Sequence, residues 1–239
     1  MIDLNKIYNQ DCIEVLRTIP DKSIDLILTD PPYIISRKSG FNRMSEGVDP
    51  ILLGKIKNHS IDFGDWDKED LDLDILFTEF YRILKPNGSI IWFYDIWKIG
   101  EVKDVAEKLG FKQPRVCQWV KNNPVPINSK NNYLSNATEY FVTFVKKEKP
   151  IFNSQYDNGI YNFPIYHSKD RFHPTQKPIE LMKALIQKHT TENMIILDPF
   201  SGSATTAVAA IETNRQWIMI EKNHDYYEKS INRIRSLSN

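Results

Sequence analysis

Apolar residues along this chain fall into two alternating patterns: short continuous runs, and stretches where they return every third or fourth position. The runs read as buried strands, and the spaced stretches as helices with one apolar face. Residues 6–8 form a short strand, and Cys12, Val15, Leu16 and Ile19 one face of a short helix. The run 24–28 is a strand, and Leu73, Leu76, Phe80, Ile83 and Leu84 mark a helix expected to stop at Pro86-Asn87-Gly88. A strand at 90–94 precedes a helix carrying Ile99, Val102, Val105, Ala106 and Leu109, with Gly110 as its C-terminal cap. Strands at 116–120 and 139–145 follow, then a helix with Leu181, Met182, Leu185 and Ile186. The chain closes with a strand at 194–198, a helix face of Ala204, Ala207, Val208 and Ile211, a strand at 216–220 and a helix with Tyr227, Ile231 and Ile234. Strands alternating with helices predict a parallel α/β sheet. The rhythm breaks twice. Residues 34–70 mix glycines with Arg37, Lys38, Arg43, Lys55 and Lys57; residues 121–132 are rich in Asn, and 150–172 read as irregular. Loops this long inside a compact domain are uncommon and usually functional or disordered.

Composition narrows the class. At 239 residues the chain is one domain, or a domain with an insertion, and 41% apolar residues suffice for a core. No run of about 18 apolar residues occurs, so no membrane span is expected. The start lacks the basic and apolar parts of a signal peptide. Two distant cysteines, Cys12 and Cys117, and five scattered histidines give no metal-type spacing, so no metal site is expected and a reduced, cytoplasmic setting is the default. A net charge of zero neither supports nor excludes nucleic acid; a DNA binder of this composition would gather its cations on one face.

Three stretches carry candidate chemistry. Thr29-Asp30-Pro31-Pro32-Tyr33 closes the strand at 24–28. Two prolines cannot continue a strand, so the chain must leave the sheet at its carboxyl edge, where open α/β sheets bind ligands. There a carboxylate, free carbonyls and an aromatic ring would suit a planar group bearing an amine; an ordinary strand-ending turn is the alternative. Asp198-Pro199-Phe200-Ser201-Gly202-Ser203 joins a strand to a helix, and Glu221 ends the next strand. That is a nucleotide-binding layout: a small-residue turn, a helix N-terminus and a carboxylate for ribose hydroxyls. Lys177, beside a helix start at Pro178, is out of place by helix electrostatics unless an anion lies between them. Asp11 suits a helix cap, with ligand binding as the second reading. Lys121, Asn122, Asn123 and Lys130 suit phosphates and base edges, as do Arg37 and Lys38, although each set also fits a solvated loop.

Asp30-Pro31-Pro32-Tyr33, His173-Pro174-Thr175-Gln176-Lys177-Pro178 and Asp198-Pro199-Phe200-Ser201-Gly202, in that order, resemble the β-class amino-group DNA methyltransferases over nearly the whole chain. Gly64-Asp65-Trp66-Asp67 and Trp119-Val120-Lys121-Asn122-Asn123-Pro124 look especially similar to its small restriction-modification members. The resemblance implies a Rossmann-like, circularly permuted fold, with the catalytic half before the cofactor half and seven strands, one of them reversed. It implies S-adenosyl-L-methionine as donor and DNA as substrate, and it allows a homodimer and a cognate restriction endonuclease as partners. Asp11 would meet the donor's adenine with Cys12 beside it, Glu221 the ribose, and Lys177 the methionine carboxylate. Phe200, Ser201 and Gly202 would line the methionyl part and Thr205 hydrogen-bond it, with Asp30 and Asp198 completing the donor site. Asp30, Pro31, Pro32 and Tyr33 would hold a flipped-out base. Residues 34–70 and 121–172 would contact DNA, the second as a short recognition insertion. Asp at the head of the tetrapeptide is typical of adenine-N6 enzymes; cytosine-N4 transfer is the alternative, and a catalytically silent binding module a more distant one. Cytosine-C5 transfer needs a cysteine after proline, a context neither Cys12 nor Cys117 has. In one respect the chain departs from the family: it has Ala204 where the family usually has Gly. If the backbone there is already helical the methyl group is harmless, and if the position must approach the donor, affinity falls; the harmless outcome is expected.

Overall fold

The computed structural model describes residues 2–32, 71–124, 136–166, 171–173 and 175–237. Residues 1–31 and 72–239 form one compact unit. A second unit spans 32–71, and within it the expected loop, with Tyr33, Arg37, Lys38 and Gly64-Asp65-Trp66-Asp67, lies outside the described residues, as does Lys130.

The first unit is an eight-stranded sheet between two helical layers. Its strands are β1 (Lys6–Tyr8), β2 (Ile24–Thr29), β3 (Leu84–Phe93), β4 (Lys112–Lys121), β5 (Thr138–Val145), β6 (Ile160–Phe163), β7 (Ile195–Asp198) and β8 (Gln216–Ile220), in the order β1-β8-β7-β2-β3-β5-β4-β6. Only β5 runs against its neighbours, β3 and β4. The seven expected strands and the single reversal are therefore present. The eighth, β6, lies at the sheet edge in a segment expected to be irregular, paired in parallel with β4.

Among the described residues the helices are α1 (Cys12–Thr18), α2 (Leu73–Ile83), α3 (Ile99–Lys108), α4 (Ile179–His189), α5 (Thr205–Glu212) and α6 (His224–Arg235). None is long and apolar enough to cross a membrane. The period-two alternation of β3 sends its side chains to both layers. Ile91 and Phe93 join Leu28, Phe141, Leu181, Leu185 and Ala207 in one core. On the other face Trp92 packs against Phe77 and Phe80 of α2, with ring centroids 5.3 and 6.1 Å away. The α2 helix ends at Ile83, and its continuation corrects the expected stop at Pro86-Asn87-Gly88: β3 begins at Leu84 and runs through those residues. They fit because the pairing with β2 slips there, between Ile24↔Leu84 and Leu26↔Ser89, so the proline has no regular ladder bond to break.

The sheet order fixes where a ligand can sit. From β2 the chain proceeds to β3 on one side, and from β7 to β8 on the other, while β2 and β7 are themselves neighbours. That is the topological switch point, and the crevice outside its carboxyl ends is the ligand-binding position of open α/β sheets. Asp30 follows β2, and Asp198 ends β7.

Candidate active site

The two strand ends are bonded to each other. Thr29 donates its hydroxyl to Asp198 Oδ1 at 2.6 Å, Thr206 donates to Oδ2 at 2.6 Å, and the Phe200 N–H donates to Oδ1 at 3.1 Å. Burial pushes the Asp198 carboxyl up to about 6, against the pull of those three donors towards the ionised form. Asp198 is thus the pin that holds the turn after β7 against the end of β2.

That turn is built from close backbone approaches. Gly202 has φ +48°, and a Cβ on it would lie 3.2 Å from His173 Nε2. Its N–H donates to Glu221 Oε2 at 2.8 Å, and its carbonyl accepts from the Ser230 hydroxyl of α6 at 2.8 Å. Arg233 donates to the Ser203 carbonyl at 2.7 Å and to Thr205 Oγ1 at 3.1 Å, so the Thr205 hydroxyl is tied into the turn. Ala204 does not have the helical backbone on which the harmless outcome is conditional. At φ 55°, ψ 31° it is left-handed, the N-cap of α5, and wholly buried. An L-residue there is strained by roughly 1–2 kcal/mol relative to the right-handed conformation, which explains why glycine suits the position.

At the end of β8, Glu221 accepts from Gly202 N–H and Asn223 N–H, each at 2.8 Å. Burial raises its carboxyl to about 7. Tyr8 at the end of β1 accepts the Glu221 N–H at 3.0 Å, and Asn9 donates to the Glu221 and Lys222 carbonyls, which brings the loop holding Asp11 beside Glu221. Asp11 caps α1, accepting the Ile13 N–H at 3.0 Å, with Lys222 Nζ 3.4 Å from its other oxygen. Burial pushes the Cys12 thiol to about 12, keeping it neutral.

On the Asp30 side lies a chain of charges. Lys177 Nζ contacts Asp30 Oδ2, lies 3.0 Å from Glu139 Oε2, and sits over the Phe93 ring, 5.1 Å from its centroid. Glu139 Oε1 in turn lies 2.8 Å from Lys121 Nζ. The Lys177 side chain is only 6% exposed. Burial opposes its charge, but Asp30 and Glu139 together hold the ammonium above the ordinary lysine range. Lys121 has 10% of its side chain exposed, its ammonium on Glu139 and over the Trp119 ring, so it faces the sheet end rather than solvent. Asn123 Oδ1 accepts the Ile165 N–H at 2.6 Å, and Asn122 is exposed. His173 shelves Gly202, packs tilted against Tyr226 with ring centroids 4.5 Å apart, and is pushed down to about 4 by burial and the charge of Lys177.

The sheet therefore gathers Asp30, Pro31, Lys177 and the turn at 198–205 at the switch point, with Glu221 after the adjacent strand β8 and Asp11 after β1, one strand further along. Sequence reasoning gave no role to Glu139, Thr29 or Thr206. Glu139 left one trace, a charge near the start of an otherwise apolar strand; the two threonines left none, because their partner is fixed only by the pairing of β2 with β7.

A strand-end carboxylate beside a nucleotide-type turn, on a sheet with one reversed strand, is the arrangement of a methyl-donor enzyme. Residues 24–232 match the family model for N6/N4 DNA methylases, and the chain belongs to that family. It is an S-adenosylmethionine-dependent DNA methyltransferase of restriction-modification type. It is 30% identical to the type II methyltransferase M2.MboI of Moraxella bovis, over 97% of this chain and 88% of that one. To the type II methyltransferase M.HinfI of Haemophilus influenzae it is 31% identical, over 98% of this chain and 69% of that one. Among solved structures it resembles the M1.HpyAVI–SAM complex, with TM-score 0.68 and 28% identity over 95% of this chain and 98% of that one. The PvuII cytosine-N4-specific DNA methyltransferase shares the fold, with TM-score 0.71 and 19% identity over 95% of this chain and 85% of that one.

The residues present fit that donor. The buried Ser201 hydroxyl and both ends of the buried Gln176 amide lack hydrogen-bond partners, as expected of polar groups awaiting a ligand. The Glu221 carboxylate accepts two N–H donors and retains acceptor capacity for hydroxyls.

Proposed function

We propose that this chain methylates the exocyclic N6 of adenine at specific DNA sites, on a base turned out of the duplex. The observation that carries the reading is the Thr29–Asp198 hydrogen bond, which sets Asp30 beside the turn that belongs to the donor half. The donor supplies a methyl group on positively charged sulfur, an electrophile for the amine's lone pair. Glu221 would accept the ribose hydroxyls, Asp11 would face the adenine beside the neutral Cys12, and Phe200, Ser201 and Gly202 would line the methionyl part, next to Asp198 and Thr205. Lys177 has three N–H donors, two of them directed at Asp30 and Glu139, so the third can take the methionine carboxylate.

The chain's own task at the amine is positional and electrostatic. An exocyclic amine is a weak nucleophile because its lone pair is delocalised into the ring. Asp30 and the Pro31 carbonyl, accepting its two hydrogens, favour the pyramidal geometry that frees that pair, and Asp30 offsets the positive charge that grows on nitrogen. Pro32 fixes the turn, and Tyr33 would stack on the extruded base. Asn122 and Asn123, with Lys130 in the same segment and Arg37 and Lys38 in the segment 34–70, are the proposed DNA contacts; Lys121, turned to Glu139, is not among them. Adenine is preferred over cytosine because the tetrapeptide begins with Asp. Transfer of labelled methyl to DNA, followed by nucleoside analysis, tests this: N6-methyladenine supports it, and N4-methylcytosine replaces it with the alternative.

A further inference from the structure

We propose that Glu139 is a positioning residue for methyl transfer: it shares Lys177 with Asp30, so that Asp30 can turn its charge to the substrate amine without stranding a buried cation. The inference rests on the reading of Asp30 just given. Four side chains of alternating sign stand in line, Lys121, Glu139, Lys177 and Asp30, with 2.8 Å between the first two and 3.0 Å between the second and third. The line is set by rigid parts. Glu139 lies in β5, opposite Trp119 of β4, and Lys121 ends β4 two residues further on. On its other side β5 pairs with β3, where Phe93, opposite Phe141, forms the floor under the Lys177 ammonium.

The chemistry creates a conflict that this line resolves. Lys177 is nearly buried, and such a cation must keep a carboxylate. Were Asp30 its only one, the ion pair would compete with every N–H that the substrate amine offers, and the carboxylate charge needed opposite the growing cation would already be neutralised. Glu139 supplies a second carboxylate at contact distance, while Lys121 keeps Glu139 itself ionised; with Lys177 it holds the Glu139 carboxyl below its ordinary value despite burial. Counted over the four, the charge is zero, and Asp30 at the inner end is the member next to the proposed substrate position.

The test compares wild type, Glu139→Gln and Glu139→Asp in single-turnover methyl transfer to DNA, with donor affinity by calorimetry and thermal unfolding measured on the same samples. Glu139→Gln puts an amide between two lysines and leaves Lys177 to Asp30 alone. It is expected to slow transfer at least about tenfold with donor Kd within about threefold of wild type, and Glu139→Asp to recover most of the rate. If Glu139→Gln does not fold, Glu139→Asp carries the test: its carboxylate is drawn back by one methylene, and transfer a few-fold slower at unchanged donor Kd supports the role. Wild-type transfer in Glu139→Gln, or in Glu139→Asp where that variant alone folds, overturns it. So does a parallel loss of donor affinity, or an equal slowing of both variants that follows their loss of thermal stability. Wild-type protein that transfers no methyl to DNA amino groups would instead sink the underlying reading.

Discussion

The ion pair at the switch point makes a quantitative prediction about folding that needs no substrate. Lys177, 6% exposed, lies against Asp30 at 16% and Glu139 at 31% exposure. Removing one partner of a fully buried pair typically costs about 3–5 kcal/mol, because it leaves a charge uncompensated. Here Asp30→Asn leaves Lys177 with Glu139 at 3.0 Å, so the loss should be smaller, about 2 kcal/mol. Lys177→Met removes the cation and sets Asp30 near Glu139 with only Lys121 to offset the pair. In the double variant neither stranded charge remains, so the two losses should not add. A coupling energy of about 2 kcal/mol is expected, within the range found for contacting residues. Urea unfolding of the four proteins at pH 7.5, about mid-range for ionised carboxylates and a charged lysine, measures it. Additivity within about 0.5 kcal/mol would refute the claim that Asp30 and Lys177 are bound to each other in the folded protein.

Donor affinity should depend on pH through Glu221. Its carboxyl is raised to about 7 by burial, and ribose hydroxyls donate to the ionised form. Since only that form is competent, affinity rises with pH and levels off above about 8; the Kd at pH 6 should be about tenfold weaker than at pH 8, and Glu221→Gln should flatten the profile. Calorimetric titrations at the two pH values check it. Ala204→Gly relieves a left-handed alanine, a gain of about 1–2 kcal/mol, but it loosens the unfolded chain and removes a buried methyl group, together a loss of similar size. Stability within about 1 kcal/mol of wild type and donor Kd changed less than about tenfold are expected; a larger change in denaturant midpoint or titration would show that the turn rearranges.

What was legible in the sequence was whatever has a local cause. Strands β2, β3, β7 and β8 stand out as apolar runs, and the turn after β2 is dictated by the consecutive Pro31 and Pro32, which remove two ladder donors in a row. The Asp198–Ser203 turn could be read from its small residues and the carboxylate one strand later. The hidden features have tertiary causes. β6 is four residues long with only Tyr161 buried, and it exists because β4 offers an edge to pair with. The left-handed backbone at Ala204 belongs to the tight turn before α5, and nothing in the Ala204 side chain announces it. Glu139 acquires its meaning from Lys121 and Lys177, respectively 18 residues before it and 38 after it in the chain. Two cations converging on one carboxylate leave no periodic trace in a sequence.

The claim on which the rest depends is that Asp30 and the donor site share one crevice but do separate work. Asp30→Ala, examined by single-turnover transfer of labelled methyl to DNA alongside donor titration, tests it most directly. Transfer slowed at least about a hundredfold, with donor Kd within about threefold of wild type, is the predicted result. Transfer at the wild-type rate, or a loss of donor binding that accounts for the slower transfer, would contradict it.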